Sequence, residues 1–191
     1  MARIVVRGLE EADLPCRVEW FNQSSTYDIV FLDVPFSLAG TREWFHRNLL
    51  NERRRDFAFD LLSDGAAAGD DATLVAMGGF VDIDFRNRKA ERYFLLDPQA
   101  TGRGLGPTLL HWLSNYAFVH LNMNRIYGYS IQGNERILRV NEKEGWVLEG
   151  TLRGSIHYRG EYLDQYVKSL LRAEWEQQPW MTRDLGFEFE L

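Results

Sequence analysis

Apolar residues along this chain recur with two different periods, and the switching between them lays out the elements. Ile4, Val5 and Val6 stand between charges and close on Gly8, which predicts a first strand over 2–7. The stretch 13–21 carries apolar residues at helical spacing, with Pro15 near its start, where a helix tolerates it. A second amphipathic helix is predicted from Thr41 through Trp44, Phe45, Leu49 and Leu50 into the run Arg53-Arg54-Arg55, read as its solvated C-terminal end. Strand patterning then returns over 56–62, 73–85 and 90–96, joined by the small polar run 63–71 and a turn at 87–89. A helix is predicted from Pro107 to about Leu121, with Leu109, Leu110, Leu113, Ala117 and Leu121 on one face. A strand over 125–131, a helix over 134–144 capped by Gly145, and a hairpin of 146–158 and 162–170 around Arg159-Gly160 complete the series. The order implies one α/β domain: a mixed, largely antiparallel twisted sheet of about seven strands flanked by about four helices.

Composition narrows the function classes. With 191 residues, 45% hydrophobic and 26% charged, the chain suits one globular domain. A net charge of −6 argues against a nucleic-acid partner, which needs a cationic surface. No apolar window reaches transmembrane length and the start MARIVVRGLEEAD lacks a long apolar core, so no membrane partner is expected. The single cysteine, Cys16, cannot form an internal disulfide and fits a reducing, cytoplasmic setting.

The most informative segment is Thr101-Gly102-Arg103-Gly104-Leu105-Gly106-Pro107-Thr108, which opens a helix. Glycines at alternate positions let backbone N–H groups approach an anion, and the helix start adds orphan donors and a positive dipole end. Such a turn suits a phosphate or pyrophosphate. Neither a Walker lysine nor the GxGxxG spacing is present, which argues against nucleotide hydrolysis and NAD binding.

Six segments in order carry a family resemblance: DIDFRNRKAE (82–91), GRGLG (102–106), YAFVHLNMNRIY (116–127), GNERILRVNEKEGW (133–146), EGTLR (149–153) and RGEYLDQYVKSLLRAEW (159–175). Over Ile4–Trp175 the chain resembles the GNAT superfamily of acetyl-CoA-dependent N-acetyltransferases. It is similar to the ribosomal-protein acetyltransferase branch broadly and, more narrowly, to enzymes acting on amino sugars of sugar nucleotides. The resemblance implies a GNAT domain over 1–175, with 176–191 an extension packing on the domain or on a partner subunit. It also implies a central strand pair, 90–96 and 125–131, that splays to admit the pantetheine arm along Leu95 and Leu96. The pyrophosphate would fall on the turn Thr101, Gly102, Arg103, Gly104, Leu105 and Gly106. Thr108 would supply the next amide, because Pro107 has none. Asn134 matches a position near the thiol arm and Arg139 one near the adenosine phosphate end. Two positions depart from the family: Thr101 stands where Gln or Arg is usual, and Asn141 where many members carry a tyrosine that protonates the leaving thiolate.

Direct attack by an amine needs a group to take its proton. Glu91 is the candidate base or water-positioner, against a structural ion pair with Arg88 or Arg92. Asp82 and Asp84, two apart on a strand, share a face and suit a cationic amine or plain solvation. Glu135, Glu142 and Glu144 read as surface charges. His157 and Asp164 on opposite hairpin arms are placed to face one another. His46, His111 and His120 have unrelated spacings, and no metal set is visible. Trp20, Asn22 and Phe31, among the aromatics near the first two helices, are candidate substrate contacts, although most such rings fasten helices to a sheet. The expectation is acetyl transfer to a primary amine in a ternary complex, the acceptor a small molecule with an amino sugar or sugar nucleotide first. The alternatives are a protein N-terminus, another acyl donor, or a binding module without catalysis; a homodimer is a further expectation.

Overall fold

The computed structural model describes residues 3–26, 34–62, 72–131, 133–180 and, as backbone, 187–189. It realises the seven strands read from the sequence: β1 (Arg3–Gly8), β2 (Arg55–Leu62), β3 (Ala72–Asp84), β4 (Lys89–Leu96), β5 (Arg125–Ile131), β6 (Val147–Tyr158) and β7 (Glu161–Leu171). An eighth, β8 (Phe187–Phe189), lies parallel to Ile4–Val6 at the edge beside β1. The order across the sheet is β6-β7-β5-β4-β3-β2-β1-β8. Every other neighbouring pair is antiparallel except β4 and β5. The helices are α1 (Leu14–Phe21), α2 (Leu38–Asn48), α3 (Leu105–Asn115), α4 (Glu135–Glu144) and the short α5 (Arg172–Trp175).

Alternation along each strand divides the sheet into two faces. Phe59, Phe80, Ala90, Phe94 and Ile126 pack with Leu109, Trp112 and Leu113 of α3 and with Trp146, Trp175 and Trp180. Ala58, Met77 and Leu95 meet Leu14, Trp20 and Phe21 of α1 on the other face, where Trp44 and Phe45 of α2 join them. Period-two side chains of one strand thus serve two separate cores.

Several boundaries differ from the sequence reading. Helix α2 starts earlier because Ser37 Oγ accepts from the Gly40 N–H at 3.1 Å, and it ends before the arginines. Arg54 instead holds Asp56 through Nε and Nη2 at 2.7 and 2.9 Å, and Arg55 opens β2. Helix α3 begins at Leu105 because Gly104 takes the left-handed conformation (φ 76°) and turns the chain into it. The last turn expected of that helix is π-helical, over Tyr116–His120, with the Leu121 N–H reaching back to Tyr116.

The β4–β5 ladder positions the site. β4 meets β5 through Lys89–Arg125, Ala90–Ile126 and Glu91–Tyr127 only, whereas β3 accompanies β4 to Leu96 and β7 accompanies β5 to Ile131. Beyond Glu91 the two strands part, and one backbone edge of residues 92–96 is left without a strand partner. The five residue steps from Glu91 to Leu96 span about 17 Å.

Candidate active site

At the open end of the wedge lies the glycine turn. The first donors of α3 belong to Gly104, Leu105 and Gly106, none of them has a side-chain cap, and Pro107 has no N–H. Because the helix starts at Leu105, the Thr108 amide falls within the i to i−4 ladder, which removes it from the cradle; its hydroxyl remains. Gly102 and Gly104 need positive φ (84° and 76°), but Gly106 does not, and a Cβ built on any of the three meets no protein atom within 4 Å. Nothing in the packing requires glycine at 106, and open space lies beside it, which fits the close approach of a phosphate-bearing cofactor. Thr101 and Arg103 are exposed on the same turn. Leu95 and Leu96 point their side chains into the two cores and offer only backbone to the wedge. A cleft of about 290 Å³ lined by Leu61, Leu62, Thr73, Val75, Asp97 and Arg103 adjoins the turn on the β3 side of β4, outside the wedge.

Past the wedge, Asn134 caps α4, its Oδ1 accepting from the Ile137 N–H at 3.3 Å, and Arg139 is exposed on that helix. Asn141 is buried, its Oδ1 3.5 Å from Arg92 Nη2. It belongs to a closed network that the sequence reading missed. Arg92 Nη1 and Nη2 donate to Glu144 Oε1 and Oε2 at 2.7 and 2.8 Å, and Ser114 Oγ and the Leu110 carbonyl complete the set at 2.7 and 3.1 Å. The guanidinium lies 4.3 Å from the Trp146 ring. The side chains of Arg92 and Glu144 are 4% and 0% exposed, so Glu144 is a core residue and not a surface charge. Its partner is 52 positions away, which no local pattern reveals.

Glu91 lies on the opposite face of β4. It is the last β4 residue paired to β5, half-buried, and makes no hydrogen bond or ion pair among the described residues. Neither expected ion pair exists: Arg88 bonds Asn122 and Arg92 bonds Glu144. Burial, then the nearby charge of Asp82, holds the Glu91 carboxyl above its ordinary range. Beside it stands Tyr127, whose phenol is raised first by burial and then by Glu91. The periodicity that made β5 a strand marked Tyr127 only as one more aromatic.

Two residues further on, Tyr93 shares the face of Glu91. Asp56, Gly79 and Tyr93 are in register on three adjacent strands, and the Tyr93 hydroxyl reaches across Gly79 to donate to Asp56. A Cβ at Gly79 would stand 1.9 Å from the Arg55 carbonyl oxygen, so glycine is obligatory there. Burial, then Asp56, raises the Tyr93 phenol. Burial opposes the charge of Arg54, but its bonds to Asp56 outweigh this and raise it. Arg17 of α1 lies above the group, its guanidinium 4.5 Å from the Phe21 ring and 4.3 Å from the Trp44 ring.

Other expectations are corrected. Asp82 adopts positive φ (49°) at a break in the β3–β4 register, so it does not share a regular strand face with Asp84. Asp84 accepts from Asn87 N and Nδ2 at 2.8 and 2.7 Å and closes the turn. His157 pairs with Tyr162, and Asp164 accepts from the Gly154 N–H, so the two do not meet. Trp20 is buried in the core under α1. Asn22 braces the chain before α2 by exchanging two hydrogen bonds with the Phe36 backbone, at 2.9 and 2.8 Å. Phe31 lies outside the described residues. Trp180 stacks on His111 at 4.1 Å. No cluster of metal-binding side chains occurs among the described residues, and none of their helices is long and apolar enough to cross a membrane.

Comparison with known proteins agrees with this geometry. Residues 3–147 match the acetyltransferase (GNAT) domain family. The chain is 31% identical over 175 residues to the "Putative ribosomal N-acetyltransferase YdaF" of Bacillus subtilis (strain 168), covering 91% of this chain and 93% of that one. It is 22% identical to a spermidine N(1)-acetyltransferase of Vibrio cholerae, over 91% of this chain and 96% of the relative. The solved structure of a V. cholerae spermidine N-acetyltransferase in complex with CoA and spermine superposes with a TM-score of 0.81 at 23% identity, covering 92% of this chain and 99% of that one, which shows the shared fold. With its splayed strand pair, its glycine turn before α3 and a family match over most of its length, the chain belongs to the GNAT family and is an acetyl-CoA-dependent N-acetyltransferase.

Proposed function

We propose that the acceptor is the primary amine of a small molecule and that Glu91 takes the proton the amine must lose. The observation that carries this reading is the place of Glu91: half-buried at the apex of the wedge, with no partner among the described residues, on the face turned toward α1 and α2. An ammonium has no lone pair for attack, so its proton must leave before the N–C bond forms. A carboxylate raised above its ordinary range is a better proton acceptor near neutral pH. Acetyl-CoA supplies, when bound, an acyl carbon activated as a thioester and a sulfur able to leave. The chain supplies orientation: the amides of Gly104, Leu105 and Gly106 hold the anionic end, and the free edge of residues 92–96 aligns the arm.

The spermidine enzymes among the relatives support a small amine as acceptor. None of the relatives compared is named for an amino sugar, and that narrower reading has no support from them. The relative named for ribosomal acetylation favours a second reading, a protein N-terminus.

A thiol-release assay with acetyl-CoA, run on small amines beside basic N-terminal peptides, separates the two. Turnover of small amines is expected; turnover of peptides alone overturns the proposal. Glu91→Gln should lower kcat/KM for the amine on the order of a hundredfold, with the acetyl-CoA dissociation constant unchanged. An unaltered pH–rate profile in that variant removes Glu91 as the base.

A further inference from the structure

We propose that α1 and β4 form a carboxylate subsite, in which Arg17 holds an acidic group of the same acceptor whose amine meets Glu91. The inference rests on the reading of the chain as a small-amine acetyltransferase and names its substrate class, an amine that also bears a carboxylate.

The argument begins with the spacing in α1. Leu14, Arg17 and Phe21 stand at i, i+3 and i+7, so a guanidinium occupies a slot that the helix otherwise fills with apolar side chains. Arg17 is 9% exposed. Phe21 and Trp44 cover the faces of its guanidinium, but rings satisfy a cation through their π faces and leave the in-plane N–H groups without acceptors. Nη1 is buried and makes no hydrogen bond among the described residues. Burial disfavours the charge, yet a guanidinium stays protonated in proteins.

The nearest carboxylate cannot serve it. Asp56 Oδ1 accepts from Arg54 Nη2 and from Tyr93, and its Oδ2 accepts from Arg54 Nε. Two cations, Arg17 and Arg54, therefore face one committed carboxylate, and the group retains a positive charge. Elsewhere the fold answers a buried arginine with a carboxylate, as Glu144 answers Arg92. Beside Arg17 no carboxylate is left to answer it among the described residues.

Geometry ties this charge to the reaction. Arg17 and Arg54 both lie on the Trp44 ring, at 4.3 and 4.7 Å, and Arg54 lies 5.3 Å from the ring of Tyr93, which sits two residues from Glu91 on one face of β4, about 7 Å along the strand. A ligand that reaches from Glu91 past Tyr93 toward Trp44 meets a carboxylate at one end and the guanidinium of Arg17 at the other. An amino acid matches both charges, and the planar fork of arginine suits a carboxylate in particular. Spermidine, cationic throughout, matches only one end and is repelled by the other.

The test uses the unaltered enzyme at saturating acetyl-CoA. Thiol release is measured on a set of L-amino acids and on ω-amino acids from glycine to 6-aminohexanoate, each beside its primary amide, with spermidine and O-phosphoethanolamine included. The best acid should exceed its own amide in kcat/KM by at least about tenfold. Arg17→Met and Arg17→Lys should each bring that ratio toward one, the loss falling on the KM of the acid and not on the acetyl-CoA dissociation constant. If Arg17→Met does not fold, Arg17→Lys keeps the charge and loses the fork. Calorimetry adds a readout free of turnover, since the N-acetylated product of the best acid should bind the parent more tightly than it binds Arg17→Lys. Equal or better turnover of the amides, spermidine or phosphoethanolamine overturns the carboxylate subsite and leaves the small-amine reading standing. Turnover of no amine, with acetyl-CoA still bound, overturns both.

Discussion

Two buried arginines lie on opposite faces of the same sheet, and they are treated in opposite ways. Arg92 meets Glu144 through both terminal nitrogens and gains Ser114 and a backbone carbonyl as further acceptors. Arg17 is given two aromatic rings and, among the described residues, no acceptor. A charge closed within its own fold belongs to the architecture, because α3, α4 and β4 must all be in place before it is satisfied. A charge left open in a fold that closes its other one is available to a ligand.

The largest way to break the contrast is to open the closed pair. Glu144→Leu strands Arg92 in the core and should cost about 3–5 kcal/mol in denaturant unfolding, with Arg92→Met/Glu144→Leu recovering most of it. Arg17→Met, by comparison, should hold stability within about 1 kcal/mol, since no ion pair is lost. Next comes the turn at the wedge mouth. Gly106→Val should weaken acetyl-CoA binding by at least about tenfold, read by calorimetry, because a side chain would fill the space where an anion approaches. Its stability should change by no more than about 0.5 kcal/mol, as φ is unrestricted there.

A smaller effect concerns pH. Asp82 helps raise the Glu91 carboxyl, so Asp82→Asn should move the rising limb of the pH–kcat/KM profile to lower pH. The smallest effect is expected at the exposed pair of Arg125 and Glu149. Bonds from Arg125 hold the Glu149 carboxyl down to about 2, below its ordinary value. Its contribution is therefore present above the ordinary glutamate range and is lost as pH falls through about 2. Solvent screens this pair, so Glu149→Gln should cost less than about 1 kcal/mol at neutral pH and nothing below that range, as measured by thermal unfolding.

These differences mark what the sequence can carry. Periodicity is a local property, and it placed the seven strands and helices α1 to α4, because each side-chain period follows from the backbone of its own element. The splay came from six ordered segments together, whereas the proposed anion turn was readable from its own glycines and the helix they open. Glu144 was misread because helix α4 looks the same from within whether or not Arg92 waits opposite. Asp82 and Asp84 were misread because a break in register cancels the alternation that pairs residues two apart. His157 and Asp164 missed each other because the hairpin register sets Tyr162, not Asp164, opposite the histidine. Arg17 was legible in principle: a cation at i+3 between Leu14 and Phe21 is a visible violation of an apolar stripe. Tyr93 with Asp56 was not, since their meeting needs three strands in register and an absent side chain at Gly79.

One feature of β4 reaches beyond catalysis. From Arg92 to Leu96 a strand in the middle of the sheet has the backbone of an outermost one, with N–H and C=O groups unshared on the β5 side. Edges of that kind are where amide hydrogens exchange with solvent and where foreign strands add. In the proposed site the molecule that covers this edge is acetyl-CoA, which the enzyme also consumes. On that proposal the resistance of this central strand to opening should follow the concentration of acetyl-CoA, and amide exchange of residues 92–96 should slow when acetyl-CoA is added.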